Sequence, residues 1–446
     1  IKKIVTCEAE KLLWQETNIA PKEQEDCMHV INIYPQVKYQ TIEGFGGAFT
    51  EASAHTYMGM SDGKKNAMIE DYFGENGLKY NIGRVHMNSC DFALGNYTYI
   101  EEGDSELKTF SIRHDEAEIL PLLHDAIAKH GEISSDTMTF LMSPWSPPAF
   151  MKTNGEMNHG GQLKKEYYQA WADYYVKFIK AYRDKGVMIN ALTIQNEPAA
   201  VQTWDSCIYS ATEEAAFVAD YLGPTMEREG LGDVEIFIWD HNKDILFDRV
   251  EESMSNKKAT PYIDGVAIHW YTGDHFEAIE MVKKEYSDLK VIFSEGCVEY
   301  SRFADTRETY KAEMYAHDIL GNLNAGISSY LDWNIFLDTK GGPNHVGNFC
   351  AAPIMCDPET DTYEKRLTYY YIGQFSRYIQ KGAVRVATTR YTSDVEAVGF
   401  LNPDQSRVTV VLNRSEKDTE ITLIEGGVGV HDQVKSHSIV TYVFEN

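Results

Sequence analysis

Eight short apolar runs, each ending in a cluster of polar or aromatic residues, recur along this chain with longer amphipathic stretches between them. They are Thr41–Phe49, Tyr80–Asn88, Met138–Trp145, Ala191–Pro198, Val234–His241, Val266–Tyr271, Val291–Cys297 and Ser328–Ile335. Strand-length runs rich in Val, Ile, Phe and Leu, separated by helical periodicity, are the pattern of repeated β-α units. The runs close on FGGAFTE, RVHMN, MSPW, QNEP, WDHN, HWY, SEGC and DWN, so the reactive side chains gather each time at the C-terminal end. A (β/α)8 barrel requires this polarity, because the strand interiors fill a packed core and the loops that follow them carry the site. An open doubly wound sheet shares the alternation, but eight strands with one chemical end favour closure.

At 446 residues the chain exceeds what a single core sustains, and a second domain is expected. From about Gly382 the period changes: VRVATTRY, VEAVGFLN, RVTVVLNR, TEITLIE and SIVTYVFE alternate in strand fashion between the turns NPDQS and NRSEKD. That is a β-sandwich signature, and the head, with KIVTCEAE, KLLWQETN and VINIYPQ, can supply strands to the same sandwich. The expected organisation is α/β: residues 1–40 as N-terminal strands of the sandwich, 41–380 as a (β/α)8 barrel and 381–446 as the C-terminal β-sandwich. Helices are expected at Ala211–Tyr221, after Ser210, and at Tyr167–Lys185, before Gly186.

The 68 acidic residues against 41 basic give a net charge of −27, a field that repels phosphate backbones and argues against nucleic acid or anionic membranes as partners. No stretch approaches the ~20 apolar residues of a membrane span, so no stable membrane insertion is expected. A neutral substrate such as a sugar suits this charge, as does plain solubility. The 28 tyrosines and 7 tryptophans fit a site where flat faces stack on sugar rings, although large barrels hold many aromatics anyway. Seven scattered cysteines (Cys7, Cys27, Cys90, Cys207, Cys297, Cys350 and Cys356) show no CxxC pair and no zinc spacing, and read mostly as reduced thiols. Reduced thiols and no visible signal favour a cytoplasmic location; a signal trimmed before Ile1 would make the protein secreted. Oligomeric state is not legible.

Two carboxylates stand out. Glu197, in Thr193-Ile194-Gln195-Asn196-Glu197-Pro198, follows the fourth run and is backed by a proline that discourages helix. A general acid there needs a raised pKa, which apolar walls and a neighbouring carboxylate would supply. Glu295, in Val291-Ile292-Phe293-Ser294-Glu295-Gly296-Cys297, follows the seventh buried run and precedes a glycine that permits close approach. Barrel closure would bring two such carboxyls to about 5–5.5 Å, the separation of retaining glycosidases.

Gly44–Thr50 (GFGGAFT), Cys90-Asp91-Phe92, Ser143-Pro144-Trp145 through Lys152–Gly155 (KTNG), Gln195–Pro198, His269-Trp270-Tyr271, Ser294–Cys297, Asp332-Trp333-Asn334 and Gly341–Phe349, taken in order, resemble glycoside hydrolase family 30, glucosylceramidase-like branch. The resemblance implies a barrel with an attached β-sandwich, and hydrolysis of β-linked sugars with retention. It makes Glu197 the acid/base, Glu295 the nucleophile and Asn196 the partner of the sugar 2-OH. Asp91, Trp145 and Trp333 match positions that hold the non-reducing sugar; a capping or turn role for Asp91 and barrel filling by either tryptophan remain alternatives. His269 and Tyr271, two apart on strand six, are expected to point together and orient Glu295, unless His269 is a satisfied core histidine.

The expected activity is a retaining β-glucosidase of glucosylceramidase type acting on a carbohydrate or glycolipid. β-Xylosidase, β-fucosidase, β-1,6-glucanase and an inactive carbohydrate-binding barrel are the alternatives. No cofactor is implied, since the carboxylates supply acid, base and nucleophile. No metal is expected either, because His86, Asp240, His241 and His269 lack HxH or HExxH spacing. The glycine-rich FGGAF lacks phosphate-loop spacing and reads as a tight barrel-mouth turn, and Cys297 as a packing residue.

Overall fold

The structure, a computed structural model, describes residues 1–23 and 29–445. Cys27 lies outside the described residues; the other six cysteines are free and buried. Eight parallel strands close into a barrel. They are β1 (Gly44–Ala48), β2 (Ile82–Met87), β3 (Thr139–Pro144), β4 (Met188–Thr193), β5 (Glu235–Asn242), β6 (Gly265–His269), β7 (Lys290–Glu295) and β8 (Ser329–Asn334). Each pairs with the next, and β8 pairs with β1.

Every apolar run overlaps one barrel strand, with two informative offsets. β4 starts at Met188 and stops at Thr193, which leaves Gln195–Pro198 in the following loop. β6 stops at His269, so Tyr271 lies beyond the strand, correcting the expectation that both residues sit on it. Tyr271 is fixed instead by its backbone N–H, which donates to Asn242 Oδ1 at 2.9 Å.

Period-two alternation builds the barrel interior in layers. Leu141, Ala191, Phe237, Ala267, Ile292 and Leu331, one each from β3 to β8, pack with Ile82 of β2 as an apolar floor. Two residues further along β2, β3, β4 and β7 come Arg84, Ser143, Thr193 and Ser294, all fully buried. The floor thus carries a polar layer directly beneath the barrel mouth.

The FGGAF segment is strand β1 itself, which corrects its reading as a turn. A Cβ on Gly46 would lie 1.9 Å from the Ile82 carbonyl oxygen, and one on Gly47 would lie 2.5 Å from Ile335 Cγ2. The glycines let β1 press against its neighbours, and no positive φ is involved. Gly46→Ala is therefore expected to lose roughly 3 kcal/mol or more by overpacking, whereas Gly95→Ala, with open space around it, should stay within about 0.5 kcal/mol. Urea denaturation of the two variants checks this.

A ten-stranded sheet joins both ends of the chain. Lys2–Cys7 pairs with Ser438–Phe444, and Val30–Thr41 lies between Val384–Arg390 and Thr419–Glu425. The sheet folds around its own core of Val5, Ile31, Val386, Val411, Ile421 and Val430, among others, as a β-sandwich. One strand, Val428–Val434, was not foreseen, because His431, Asp432 and Gln433 break its apolar alternation. On the helix Leu367–Ser376, Gln374 bonds Thr6 at 2.8 Å and Thr441 at 2.6 Å, tying barrel to sandwich. The helix after Ser210 is capped as expected, by a Ser210/Glu213 capping box over Ala211–Phe217. The other expected helix runs Tyr168–Asp184, and Gly186 follows it in the left-handed region at φ +81°.

Candidate active site

Glu295 ends β7, and Glu197 sits in the loop after β4. Glu197 holds φ +49°, a left-handed conformation that costs a non-glycine residue strain. Flanking backbone bonds hold it there: Asn196 N–H donates to the Pro144 carbonyl at 2.8 Å and Glu197 N–H to the Asp240 carbonyl at 3.0 Å. The acceptor strand β5 is itself bent, with Trp239 at φ +72° and Asp240 at φ +53°. Trp239 pairs with Ala267 and His241 with Ile268, so Asp240 is the extra residue of a β-bulge. The bulge turns the Asp240 carboxylate inward, where it accepts from Arg84 Nη2 (2.7 Å), Thr193 Oγ1 (2.7 Å), Ser294 Oγ (2.6 Å) and His269 Nε2 (3.0 Å).

Arg84 stands at the centre of this layer. Its Nη1 donates to Glu295 Oε2 at 2.7 Å, Nη2 to Asp240 and to Asn196 Oδ1 at 3.0 Å, and Nε to Ser143 Oγ at 3.2 Å. Glu295 also accepts from the Tyr271 hydroxyl at 2.9 Å. Glu197 faces different groups: Gln202 Nε2 at 3.3 Å, His269 Nδ1 at 3.3 Å and His241 Nε2 at 3.8 Å. One oxygen of each glutamate and a His269 nitrogen all lie within 4.8 Å of one another.

Above the pair opens a cavity of about 150 Å³ lined by Asp91, Trp145, Asn196, Tyr271 and Trp333 together with Glu197 and Glu295. Trp145 and Trp333 stack with ring centroids 5.3 Å apart, and the Arg84 guanidinium lies over both. Asp91 accepts from Asn348 Nδ2 at 3.2 Å and Asn344 Nδ2 at 3.4 Å, so the loop after β8 closes that end. Seven of the eight residues anticipated for the site thus wall one cavity. His269 is fully buried beneath it, and its nearer carboxylate is Glu197 at 3.3 Å rather than Glu295 at 3.9 Å. It was expected to orient Glu295; the early end of β6 leaves its Nδ1 facing Glu197 instead. Arg84 and Gln202 were missed, and Asp240 and His241, read as the close of strand five on the aglycone side, instead bond Arg84 and face Glu197. The available signal was the charge of Arg84 inside an apolar run.

The electrostatics differ from the expected apolar cradle. Burial works against charge on Glu197, but the His269 hydrogen bond and the two imidazoles overcome it and hold Glu197 down at about 2. Burial and the charges of Glu197 and Asp240 push Glu295 above the ordinary carboxylate range, while His269 and Arg84 restrain the rise. Burial opposes charge on His269 too, yet the surrounding carboxylates raise it to about 9. At neutral pH the proton of this cluster therefore rests on His269, one hydrogen bond from Glu197.

Glu197, His269 and Glu295 have the proximity of a metal-ligand set. Its chemistry does not fit one: both His269 nitrogens donate to carboxylates, and Arg84 already neutralises Glu295. A protonated imidazole offers no lone pair.

Asp91 is raised to about 7, first by burial and then by the charge of Glu295. A raised folded pKa gives a contribution that is present below the unfolded value of about 3.9 and lost as pH rises through about 7. Asp91→Asn is therefore expected to stabilise the fold at pH 8, by at most about 4 kcal/mol, with the gain shrinking at pH 5. Thermal melts at the two pH values check the sign.

A closed barrel whose mouth holds paired carboxylates under a tryptophan-walled, sugar-sized pocket is the architecture of a glycoside hydrolase. The chain matches the glycosyl hydrolase family 30 TIM-barrel domain over residues 42–379 and the family's beta sandwich domain over residues 382–442, and it belongs to that family. It is 34% identical over 435 residues to the lysosomal acid glucosylceramidase of Mus musculus, covering 93% of this chain and 83% of that protein. The crystal structure of SrfJ from Salmonella typhimurium superposes with a TM-score of 0.96 at 38% identity, covering 100% of this chain and 99% of that one. An endo-β1,6-glucanase structure superposes at 0.89 with 26% identity, over 100% and 99% of the two chains.

Proposed function

We propose that this glycoside hydrolase removes a terminal β-glucose from a glycolipid or small aglycone with retention of configuration, Glu295 acting as nucleophile and Glu197 as acid/base. The observation that carries this division is the unequal company of the two carboxylates. Glu295 is clamped by Arg84 and Tyr271, while of the two glutamates only Glu197 shares a bond with the His269 imidazole. Glu295 attacks the anomeric carbon as Glu197, recharged from His269, protonates the departing oxygen. Glu197 then takes a proton from water, which releases the sugar from Glu295. Arg84 occupies the Asn196 carbonyl oxygen, which leaves the Asn196 amide N–H2 for the sugar 2-OH. Asp91 accepts from hydroxyls at the closed end, and Trp145 and Trp333 pack on the ring.

Two features support exo action on glucose: the small cavity shut beyond Asp91, and the 34% identity to a glucosylceramidase. The second reading is an endo-acting β-1,6-glucanase, favoured by the likeness to that structure across the whole chain. Chromogenic β-glucoside, β-xyloside, β-fucoside and β-galactoside, assayed beside β-1,6-glucan with NMR of the first anomer released, separate the readings. β-Glucoside turnover releasing β-glucose is expected. Cleavage of the glucan to oligosaccharides with inert small glycosides would select the second reading, and an α-anomer as first product would overturn retention.

A further inference from the structure

Two thiols that the glycosidase chemistry does not use stand in the wall of the sugar pocket. Cys297 follows Glu295 by two residues, and Cys350 ends the loop that carries Asn344 and Asn348; both line the cavity. Short backbone contacts fix the two segments against each other, with Tyr300 N–H donating to the Phe349 carbonyl at 3.1 Å and Ala351 N–H to the Val298 carbonyl at 2.9 Å. The two residues belong to one apolar cluster in the wall of one cavity, on segments joined by the Glu299–Cys350 bridge. Each is also one contact from the sugar machinery. Cys297 Sγ lies 3.5 Å from the Tyr271 hydroxyl, which bonds Glu295, and Cys350 Sγ lies 3.7 Å from the carbonyl of Asn348, whose amide bonds Asp91.

We infer that Cys297 and Cys350 form a dithiol site for a small neutral trivalent metalloid hydroxide, whose capture closes the sugar pocket. The reaction is an exchange without redox change: As(OH)3 and two thiols give a bis-thiolate arsenic hydroxide and two waters. Two As–S bonds replace two As–O bonds, and each thiol proton leaves on a departing hydroxide. A neutral ligand suits these sulfurs. The neighbouring Cys350 thiol and burial hold Cys297 well above the ordinary thiol range, and Cys350 is raised as well. Both therefore stay protonated at neutral pH, where reagents that need a thiolate act slowly. The acidic surroundings of Glu295, Glu299 and Asp91 do not repel an uncharged hydroxide. Two thiols on bridged segments of one cavity wall bind it as a chelate, without the ordering cost of bringing separate thiols together.

The test uses sodium arsenite on the reduced full chain. Native mass spectrometry is expected to show a single tightly held arsenic with the loss of two waters. Glycoside hydrolysis should fall more than about tenfold and recover with dithiothreitol but not with an equivalent monothiol. Cys297→Ala, Cys350→Ala and Cys350→Val should neither retain the arsenic nor lose activity to it, each compared with its own untreated rate after a melt confirms folding. Arsenic retained by either alanine variant would overturn the site. Arsenic bound by the wild type without slowing hydrolysis would overturn its placement in the sugar pocket. The mass readout holds whichever sugar the enzyme prefers.

Discussion

Glu295→Gln is expected to reduce kcat/KM for an aryl β-glucoside by on the order of 10⁵-fold or more, with melting temperature held or raised. The amide keeps the shape and can still meet Tyr271, but it cannot form the glycosyl ester. It also removes one of three carboxylates crowded around Arg84 and His269, which relieves repulsion. Glu197→Gln should behave differently. Loss of the acid matters most for poor leaving groups, so a dinitrophenyl glucoside should still load Glu295 and then stall, because no base activates water. Azide should rescue this variant and yield a β-glucosyl azide, since it attacks the ester from the face Glu197 has vacated. In a Glu295→Gly variant azide replaces the nucleophile and should yield the α-azide. The two products read the roles independently of rate, and an α-azide from the Glu197 variant would reverse the assignment.

Arg84→Met should combine a large loss of stability with a large loss of activity. The side chain is fully buried and bonds Glu295, Asp240, Asn196 and Ser143 at once. Methionine fills much of the volume but strands two buried carboxylates, with His269 as the cation they still share. Breaking buried pairs from one side costs about 3–5 kcal/mol, and the melt should show it. Catalysis should fall at least 10²-fold, because the group that positions Glu295 and favours its charged form is gone. The sign in pH follows. Arg84 lowers Glu295, so its removal lets Glu295 rise further, and the acid limb of the kcat/KM profile should move to higher pH. Arg84→Lys restores a charge but not the fork that reaches Glu295 and Asp240 together, so it should recover only part of either quantity. A stability within about 1 kcal/mol of wild type would sink this account.

The rise of Glu197 that sequence reasoning expected from apolar walls does not occur, and the reason is instructive. The walls that flank Glu197 are imidazoles and an amide, brought from β5, β6 and a loop position nine residues past β4. Nothing in the short motif around Glu197 records those neighbours. In the proposed mechanism a low-pKa carboxylate beside a protonated imidazole takes the place of a high-pKa acid.

The repeat of apolar runs with polar ends, the glutamates at the ends of the fourth and seventh runs, and the change to period-two alternation after Gly382 were all legible in the chain. Burial imposes these patterns locally, strand by strand, so they survive in one dimension. The family motifs likewise lie in contiguous segments. What only the tertiary structure decided are the contacts between segments far apart in sequence. Arg84 meets Glu295 across 211 residues, and closure of the barrel is what brings them together. Asp240 reaches the axis through a bulge, a backbone irregularity that no periodicity announces. The end of β6 at His269 aims that ring at Glu197 rather than Glu295. Side-chain identity and spacing set which residues are buried; the path of the backbone sets which of them touch, and it is those touches that distribute the charge.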